Sequence, residues 1–244
     1  MAGRVAERHT YITPKARVAR VEIGGQPIFF LITKWRDAIQ KSHRTGRFYE
    51  EPELQVLLRY CPKDAVYCDI GANIGNHTLY ALKFMGVSKA ILFEPNPTAI
   101  DILLGNLSLN GVLEKCDTSF LGMGLSDVED EGFGVNARER NLGAAVLVQG
   151  SGQIRLARGD RLLNGQKVDL VKIDVEGMEM EVLRGLKGVI EDSRPTIFVE
   201  VRRETIPEFE EWLTDVGYEI RETTTRNRVY SNFIILPREV SDQS

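Results

Sequence analysis

Residues 69–75 read Asp-Ile-Gly-Ala-Asn-Ile-Gly and follow an apolar run, residues 65–68, that predicts a buried strand. A strand that ends in an acidic residue and leads into two glycines four positions apart is typical of a loop whose backbone approaches a ligand closely. A second predicted strand, residues 90–93, ends in Glu94, about 25 positions after Asp69. A nucleoside-binding βαβ unit carries a carboxylate for ribose hydroxyls at this point, so the pattern predicts such a unit.

The composition is that of one folded unit with an added segment. The 244 residues are 43% hydrophobic and 27% charged, which is ordinary for a globular protein with one sizeable core. We interpret residues 1–50 as an N-terminal appendage and residues 51–240 as the main domain. The net charge of -4 gives no positive field for a phosphate backbone, so nucleic acid is not an expected partner.

Cysteine usage and the N-terminus bear on the compartment. The three cysteines, Cys61, Cys68 and Cys116, show no disulfide-like spacing, which favours buried thiols in a reducing environment. The first residues carry charges where a signal peptide needs an apolar stretch, and no apolar run in the sequence is long enough to cross a membrane. We therefore expect a cytoplasmic protein without a membrane span.

The order of the predicted elements indicates an α/β fold. Residues 17–31 alternate around a Gly-Gly pair and predict an N-terminal β-hairpin. From residue 64 strands and helices alternate, which predicts a mostly parallel sheet covered by helices. Residues 218–220 and 231–236 flank a short polar loop and predict an antiparallel C-terminal hairpin. Residues 128–160 are rich in glycine, and we expect them to form substrate-specific loops.

The glycine loop favours S-adenosylmethionine over a dinucleotide. Its spacing is Asp-x-Gly-x-x-x-Gly, whereas a pyrophosphate needs the denser cradle of Gly-x-Gly-x-x-Gly. S-adenosylmethionine carries no phosphate and needs a close turn for its aminoacyl end, a carboxylate for its ribose and a polar group near its adenine. We assign these tasks to Asp69 with Gly71, to Glu94, and to Ser126 with Asp127. The other cofactor-binding candidates lie beside them: Asn73, Gly75 and Pro95. The alternative is an ordinary tight turn between strand and helix.

Further motifs lie between residues 48 and 200. They are Phe48-Tyr49-Glu50, Phe93 to Pro97, Asn106, Asn110, Leu125 to Asp127, Val168 to Gly177, Glu179, Leu183 to Gly185 and Pro195 to Glu200. Together with the glycine loop they resemble the FkbM-type S-adenosylmethionine-dependent methyltransferases, and the run Lys172 to Gly177 is the most specific of them. The resemblance implies a class I methyltransferase fold, which is Rossmann-like with a mostly parallel seven-stranded sheet, and usually O-methylation of a sugar or natural-product hydroxyl.

Acidic residues at the ends of two predicted strands are the catalytic candidates. An alcohol becomes a good nucleophile only when a base or a metal ion takes up its proton. We predict Asp174 as the base or the acceptor anchor, with Glu176 and Glu200 assisting. The same three carboxylates could instead bind a divalent cation, but we expect no metal ion. Lys172 is expected to pair with Asp69 or Asp174.

These observations predict an S-adenosylmethionine-dependent O-methyltransferase that acts on a hydroxyl of a sugar, glycolipid or secondary metabolite. The partner would be a small-molecule or glycan acceptor. A nicotinamide-dependent dehydrogenase and a non-catalytic nucleoside-binding module are the alternatives. His77, in the helix after the glycine loop, is interpreted as a capping or packing residue, with catalysis as the alternative. The sequence does not decide the identity of the acceptor, whether the protein forms a homo-oligomer, or the role of the N-terminal hairpin.

Overall fold

The computed structural model describes residues 7–13, 16–138, 141–225 and 228–239, with side chains for residues 16–136, 146–225 and 228–239. Its strands are β1 (Glu7–Thr13), β2 (Ala16–Ile23), β3 (Gln26–Ile32), β4 (Val66–Ile70), β5 (Lys89–Phe93), β6 (Cys116–Asp117), β7 (Met123–Leu125), β8 (Asp130–Arg138), β9 (Asn141–Gln149), β10 (Ile154–Ala157), β11 (Leu170–Ile173), β12 (Thr196–Arg202), β13 (Tyr218–Thr225) and β14 (Tyr230–Pro237).

The helices alternate with the strands of the main sheet, as the sequence predicted. They are α1 (Ala38–Arg44), α2 (Glu51–Tyr60), α3 (Asn76–Tyr80), α4 (Pro97–Leu109), α5 (Gly159–Leu162), α6 (Glu179–Gly185), α7 (Lys187–Ser193) and α8 (Ile206–Val216). Two short helices, α6 and α7, follow each other between β11 and β12. Among the residues that the structure describes, none of the helices has the length and apolar character needed to span a bilayer.

A seven-stranded sheet forms the centre, in the order β13-β14-β12-β11-β4-β5-β6. The pairs from β12 through β6 are parallel, whereas β14 runs antiparallel to both β12 and β13. This confirms the predicted Rossmann-like α/β fold with an antiparallel C-terminal hairpin. Parallel order brings the carboxyl ends of β4, β5, β11 and β12 to one edge, where α/β sheets bind their ligands.

Alternating side chains of the central strands supply two hydrophobic clusters, one on each face of the sheet. Leu92 and Leu170 belong to the first cluster, and their neighbours Ile91 and Val171 belong to the second. Residues of α2, α3 and α4 pack on the first face, and residues of α6, α7 and α8 pack on the second. Because strands buried on both faces need apolar residues at every position, the short apolar runs of the sequence are explained.

The N-terminal segment forms a three-stranded sheet, β1-β2-β3, rather than a hairpin alone. The predicted pairing of β2 with β3 is confirmed, and β1 adds a strand beside β2. Asn106 in α4 and Asn110, the residue directly after α4, bind the outer backbone of β3. Asn106 Oδ1 accepts from Leu31 N at 2.7 Å, and Asn110 Oδ1 accepts from Phe29 N at 3.0 Å. Phe30 lies in the first hydrophobic cluster of the main sheet. The described N-terminal strands therefore share a core with residues 51–240, and the boundary at residue 50 stays a prediction.

The loops expected over residues 128–160 are largely strands in the structure, whereas their role in substrate specificity stays a prediction. They contribute β8, β9 and β10 to a second, four-stranded sheet in the order β7-β10-β8-β9. A Cβ atom on Gly134 would lie 2.5 Å from the carbonyl oxygen of Ser151, and one on Gly152 would lie 2.5 Å from that of Phe133. These glycines therefore allow close backbone packing instead of marking loops.

Candidate active site

The glycine loop after β4 packs its backbone against the neighbouring strand ends. Gly71 has a φ of 79°, and a Cβ atom there would lie 1.9 Å from the carbonyl oxygen of Asp174. The amides of Gly71 and Ala72 donate to the carbonyl oxygen of Phe93 at 2.9 and 3.0 Å. Only glycine meets both the left-handed backbone conformation and this close approach. The loop thus fixes the ends of β4, β5 and β11 against one another.

Glu94 follows β5, and backbone amides bind both of its carboxylate oxygens. Oε2 accepts from Asn73 N at 2.7 Å, and Oε1 accepts from Asn96 N at 2.8 Å. Burial raises the pKa of Glu94 to about 7, although the two amides and Lys172 act in the opposite direction. Because a carboxylate has about four acceptor positions, two of them remain for hydroxyl groups of a ligand.

A cleft of about 660 Å³, which we call the large cleft, opens beside Glu94. Its walls come from the glycine loop, residues 93–96, β7, the β8–β9 hairpin and the segment after β11. Val135 and Leu147 stand opposite each other in the hairpin and give one wall an apolar character.

Two buried polar atoms of the large cleft have no hydrogen-bond partner within the described ranges. They are Asn73 Oδ1 and Asn96 Nδ2, and both residues line the cleft. Leaving a buried amide group without a hydrogen bond costs free energy. A ligand with both donor and acceptor groups next to Glu94 would satisfy them.

The backbone after β11 turns sharply through two left-handed residues. Glu176 has a φ of 53° and Gly177 a φ of 106°. Glu179, at the start of α6, accepts from Gly177 N at 2.6 Å, and burial raises the pKa of Glu179 to about 7. This bond and the two left-handed residues hold Asp174 and Glu176 at the rim of the cleft.

Lys172 is a buried cation beneath the rim. Its Nζ donates to the carbonyl oxygen of Gly71 at 2.8 Å and lies 3.4 Å from Asp69 Oδ1 and 3.7 Å from Asp174 Oδ2. Burial acts to lower the pKa of Lys172, but Asp69, Asp174 and Glu50 outweigh this effect and raise the pKa. Lys172 thus pairs with both Asp69 and Asp174, which the sequence had suggested as alternative partners.

A second cavity of about 440 Å³, the polar cavity, adjoins the large cleft. The two share Gly71, Asn73, Asp174 and Glu176 as a common wall. Three of the five non-glycine residues with positive φ in the described chain line the polar cavity: Glu50, Asn73 and Glu176. Since strained backbone concentrates at functional sites, this cavity is a candidate for chemistry.

The far wall of the polar cavity comes from the N-terminal segment. Glu50 Oε2 lies 3.8 Å from His77 Nε2, and both residues line the cavity. Asn76 fixes this segment, because its Oδ1 accepts from Tyr49 N and its Nδ2 donates to the carbonyl oxygen of Tyr49, each at 2.9 Å. Asn76, the residue directly after the glycine loop, thereby connects this loop to the segment before α2.

Asp174, Glu176 and Glu200 converge at the carboxyl ends of β11 and β12. One carboxylate oxygen from each lies within 4.8 Å of the others. Glu200 is buried, and the other two are partly exposed. Three carboxylates at this spacing create a negative potential that attracts a cationic group.

The sequence comparison agrees with this geometry. Residues 69–220, more than half of the chain, match the family described as "Methyltransferase FkbM domain". The chain belongs to the FkbM methyltransferase family. The match includes the glycine loop, Glu94 and the three converging carboxylates, which confirms the resemblance inferred from the motifs.

Two curated relatives of this FkbM-family chain are methyltransferases. The hexuronic acid methyltransferase AglP of Haloferax volcanii is 32% identical over 146 residues, 58% of this chain and 58% of AglP. Methyltransferase 1 of Beauveria bassiana is 29% identical over 164 residues, 57% of this chain and 66% of that protein. The chain thus spans less than two thirds of the length of either relative.

The fold also occurs among solved methyltransferase structures. M. capricolum TrmK in complex with S-adenosyl-homocysteine has a TM-score of 0.51 and 13% identity to the FkbM-family chain, covering 77% of this chain and 68% of TrmK. At this identity the likeness shows the fold alone.

Several residues predicted for the cofactor line neither cavity of the FkbM-family site. Asp69 is fully buried and accepts from Thr78 Oγ1 at 2.6 Å, in addition to its ion pair with Lys172. Asp127 accepts from Arg184 Nε at 2.8 Å instead. Gly75 and Ser126 also lie outside both linings, whereas Gly71, Asn73, Glu94 and Pro95 line the large cleft. The structure therefore brings half of the predicted cofactor residues to the cleft.

Sequence reasoning did not assign Glu50, Asn96, Val135 and Leu147 to the site, although all four line one of the cavities. Glu50 belongs to a motif of the FkbM resemblance, which was the available signal for it. Val135 and Leu147 fall within residues 128–160, for which we expected substrate-specific loops, but the sequence did not single them out. Their position depends on the pairing of β10 with β7 and β8.

Proposed function

We propose that this FkbM-family protein is an S-adenosylmethionine-dependent O-methyltransferase that acts on a hydroxyl of a sugar, glycolipid or secondary metabolite. The observation that carries the proposal is the common wall between the large cleft and the polar cavity, which contains Asp174 and Glu176. A donor in one space and an acceptor in the other would meet at these carboxylates.

The residues of the large cleft fit S-adenosylmethionine. Glu94 keeps two acceptor positions for ribose hydroxyls, and Asn73 Oδ1 and Asn96 Nδ2 offer one acceptor and one donor. Val135 and Leu147 give an apolar surface on which a purine can pack. The related fold of M. capricolum TrmK holds S-adenosyl-homocysteine, which supports the same cofactor class here.

Four carboxylates near the common wall would stabilise a cation. Asp174, Glu176 and Glu200 converge, Glu50 lines the polar cavity, and the buried Lys172 lies within ion-pair distance of Asp174 and Asp69. When bound, S-adenosylmethionine supplies an electrophilic methyl group on a positively charged sulfur. The negative potential of this wall would favour that charge in the ground state and orient the cofactor.

Asp174 would serve as the general base. Its carboxylate lies at the common wall, and it would accept the proton of the acceptor hydroxyl as the oxygen attacks the methyl carbon. Glu176, which lines both cavities, would position the acceptor through hydrogen bonds from its other hydroxyls. Glu200 is buried and lines neither cavity, so it would assist through the two carboxylates beside it. We propose that these groups act without a metal ion.

The polar cavity suits a polyhydroxylated acceptor. Its walls offer carboxylates, an amide and an imidazole, which are hydrogen-bonding partners for sugar hydroxyls. The relative AglP is named a hexuronic acid methyltransferase, which supports a sugar-derived acceptor for this chain. A cytoplasmic location stays a prediction, and the oligomeric state stays open.

Calorimetric titration with S-adenosylmethionine tests the donor site. The wild-type protein should bind, and Glu94→Gln should raise the dissociation constant about 10- to 100-fold, as expected when hydrogen bonds to a charged acceptor weaken. Glu114→Gln, at an exposed position, is the matched control and should bind like the wild type. Equal affinity of the Glu94 variant and the wild type would contradict the site, and absence of S-adenosylhomocysteine formation with sugar acceptors would contradict the reaction.

A further inference from the structure

An exposed aromatic and basic surface lies on the N-terminal segment, away from the two cavities' linings. It consists of Lys34, Trp35, Arg36, Lys41 and Arg44, and we call it the Trp35 surface. The Trp35 side chain is 49% exposed, and the guanidinium carbon of Arg44 lies 3.9 Å from the centroid of its ring. Arg36 and Lys41 are exposed as well. An exposed tryptophan among cations requires an explanation, since most large aromatic side chains are buried.

The charges of the Trp35 surface are not compensated by neighbouring carboxylates. Within the described part of the chain, none of its four cations has a carboxylate oxygen within 4.0 Å. Cations elsewhere on the surface are commonly paired, as in Arg161 with Glu129 and Lys187 with Glu191. Arg36 and Lys41 are exposed and Lys34 and Arg44 are partly exposed, so this face is positively charged toward whatever approaches it.

The distribution of charged residues along the sequence also makes the N-terminal segment positive and the rest of the chain negative. Residues 1–50 contain ten Lys and Arg against four Asp and Glu, whereas residues 51–244 contain 21 Lys and Arg against 31 Asp and Glu. The whole chain is acidic, so the N-terminal segment is the part of the sequence whose net charge attracts a polyanion. Long-range attraction would thus orient this segment toward an anionic partner.

We propose that the Trp35 surface docks on an anionic lipid bilayer. Tryptophan prefers the interface between headgroups and acyl chains, and Lys and Arg bind anionic headgroups. Arg17 and Arg44 lie 5.1 and 3.9 Å from the centroid of the indole ring, yet the Trp35 side chain stays half-exposed. A soluble polyanion would use the four cations, whereas a bilayer would also bury the exposed part of the ring. The combination of Trp35 with the four cations therefore favours a bilayer as the partner.

The position of α1 connects this surface with the polar cavity. Ile39 lines the polar cavity, and Lys41 and Arg44 belong to the same short helix. The docked protein would hold the polar cavity close to the headgroups, so that an acceptor carried by a lipid could enter it. This consequence rests on the proposed function, whereas the lipid contact itself does not.

Tryptophan fluorescence tests the contact directly, because the chain has only two tryptophans. Trp35 is half-exposed, and Trp212 lies in the core with 8% exposure. Vesicles of phosphatidylcholine with phosphatidylglycerol should shift the emission to shorter wavelength, and vesicles of phosphatidylcholine alone should not. High salt should reverse the shift, and Trp35→Phe should abolish it. The assay contains no methyl donor, so its failure is distinct from failure of the proposed function.

Vesicle sedimentation of charge variants completes the test. Loss of one cation from a surface against anionic lipid weakens partitioning about fivefold, so the double variant Arg36→Glu with Lys41→Glu should lose at least about 20-fold. Lys63→Glu, an exposed lysine in the turn before β4, is the matched control and should sediment like the wild type. Unchanged sedimentation of the double variant would overturn the proposal. An equal fluorescence shift with inorganic pyrophosphate alone would also overturn it, in favour of a site for small anions.

Discussion

Lys172 Nζ donates to the carbonyl oxygen of Gly71 at 2.8 Å, and this bond joins the end of β11 to the glycine loop after β4. Lys172 and Asp69 are also direct partners in the register of these parallel strands. One buried cation therefore holds together the loop beside the large cleft and, through Asp174, the acidic segment across from it.

Replacing this cation should destabilise the protein strongly. Lys172→Met leaves the fully buried carboxylate of Asp69 without its ion pair, so the free energy of unfolding should fall by about 3 to 5 kcal/mol. Urea unfolding followed by circular dichroism measures this change. The double variant with Asp69→Asn should recover part of the loss, because it removes the unpaired charge.

Lys187→Met is the control for that measurement. Lys187 is exposed and pairs with Glu191 at 3.7 Å, so its loss should cost less than about 1 kcal/mol. If Lys172→Met and Lys187→Met lost similar amounts of free energy of unfolding, the buried ion pair would not be a major source of stability at the site.

Two glycines with similar backbone conformations allow the energetic cost of backbone strain to be measured apart from the cost of steric overlap. Gly71 and Gly86 have φ values of 79° and 72°, but a Cβ atom would meet Asp174 only at Gly71 and would enter open space at Gly86. Gly86→Ala should therefore cost about 1 to 2 kcal/mol, the penalty of the left-handed conformation. Gly71→Ala should cost more than about 4 kcal/mol or prevent folding. Equal stabilities in urea unfolding would refute the close approach of the two strand ends.

Glu179 should make stability depend on pH. Its pKa is raised to about 7 from 4.5 by burial, so between these values the folded state binds a proton that the unfolded state does not. The contribution of Glu179 to the free energy of unfolding is then fully present below pH 4.5 and decreases as the pH rises to 7. Glu179→Gln stays neutral, so the variant should gain about 2 to 3 kcal/mol over the wild type between pH 5 and pH 8.

The control for this titration is Glu211→Gln on the exposed face of α8. The difference in free energy of unfolding between this variant and the wild type should stay constant over the same pH range. A flat difference for Glu179→Gln as well would mean that Glu179 is ionised in the folded protein at pH 5.

Asp174→Asn should separate chemistry from donor binding. Loss of a general base lowers kcat by about 10²- to 10⁴-fold. The affinity for S-adenosylmethionine should fall far less than kcat, because Glu94, Asn96 and the other carboxylates of the common wall are unchanged. Rapid-quench assays and calorimetry measure the two quantities, and Asp192→Asn on the exposed end of α7 is the control. EDTA should leave the wild-type rate unchanged. A normal kcat in Asp174→Asn, together with a reduced kcat in Glu50→Gln or His77→Asn, would show that the general base lies on the far wall of the polar cavity.

The proximity of Glu94 to the glycine loop was predictable from the sequence. Two short apolar runs, residues 65–68 and 90–93, predicted adjacent parallel strands, and parallel order brings their carboxyl ends together. The convergence of Asp174 with Glu200 follows from the same rule, applied to β11 and β12. Local pattern was sufficient because neighbouring parallel strands share one register and one direction.

The sequence by itself determined the α/β class, the antiparallel end of the sheet and the edge that carries the polar residues. These features follow from the periodicity within each strand and from the order of the elements along the chain, and both can be read from short stretches of sequence. Only the tertiary structure decided that Lys172 pairs with Asp69 and Asp174 together, that Glu50 lines the polar cavity and that Val135 and Leu147 line the large cleft. These positions depend on contacts between segments far apart in the chain. Such contacts are selected by packing and by pairing of buried charges, which no local pattern of residues records.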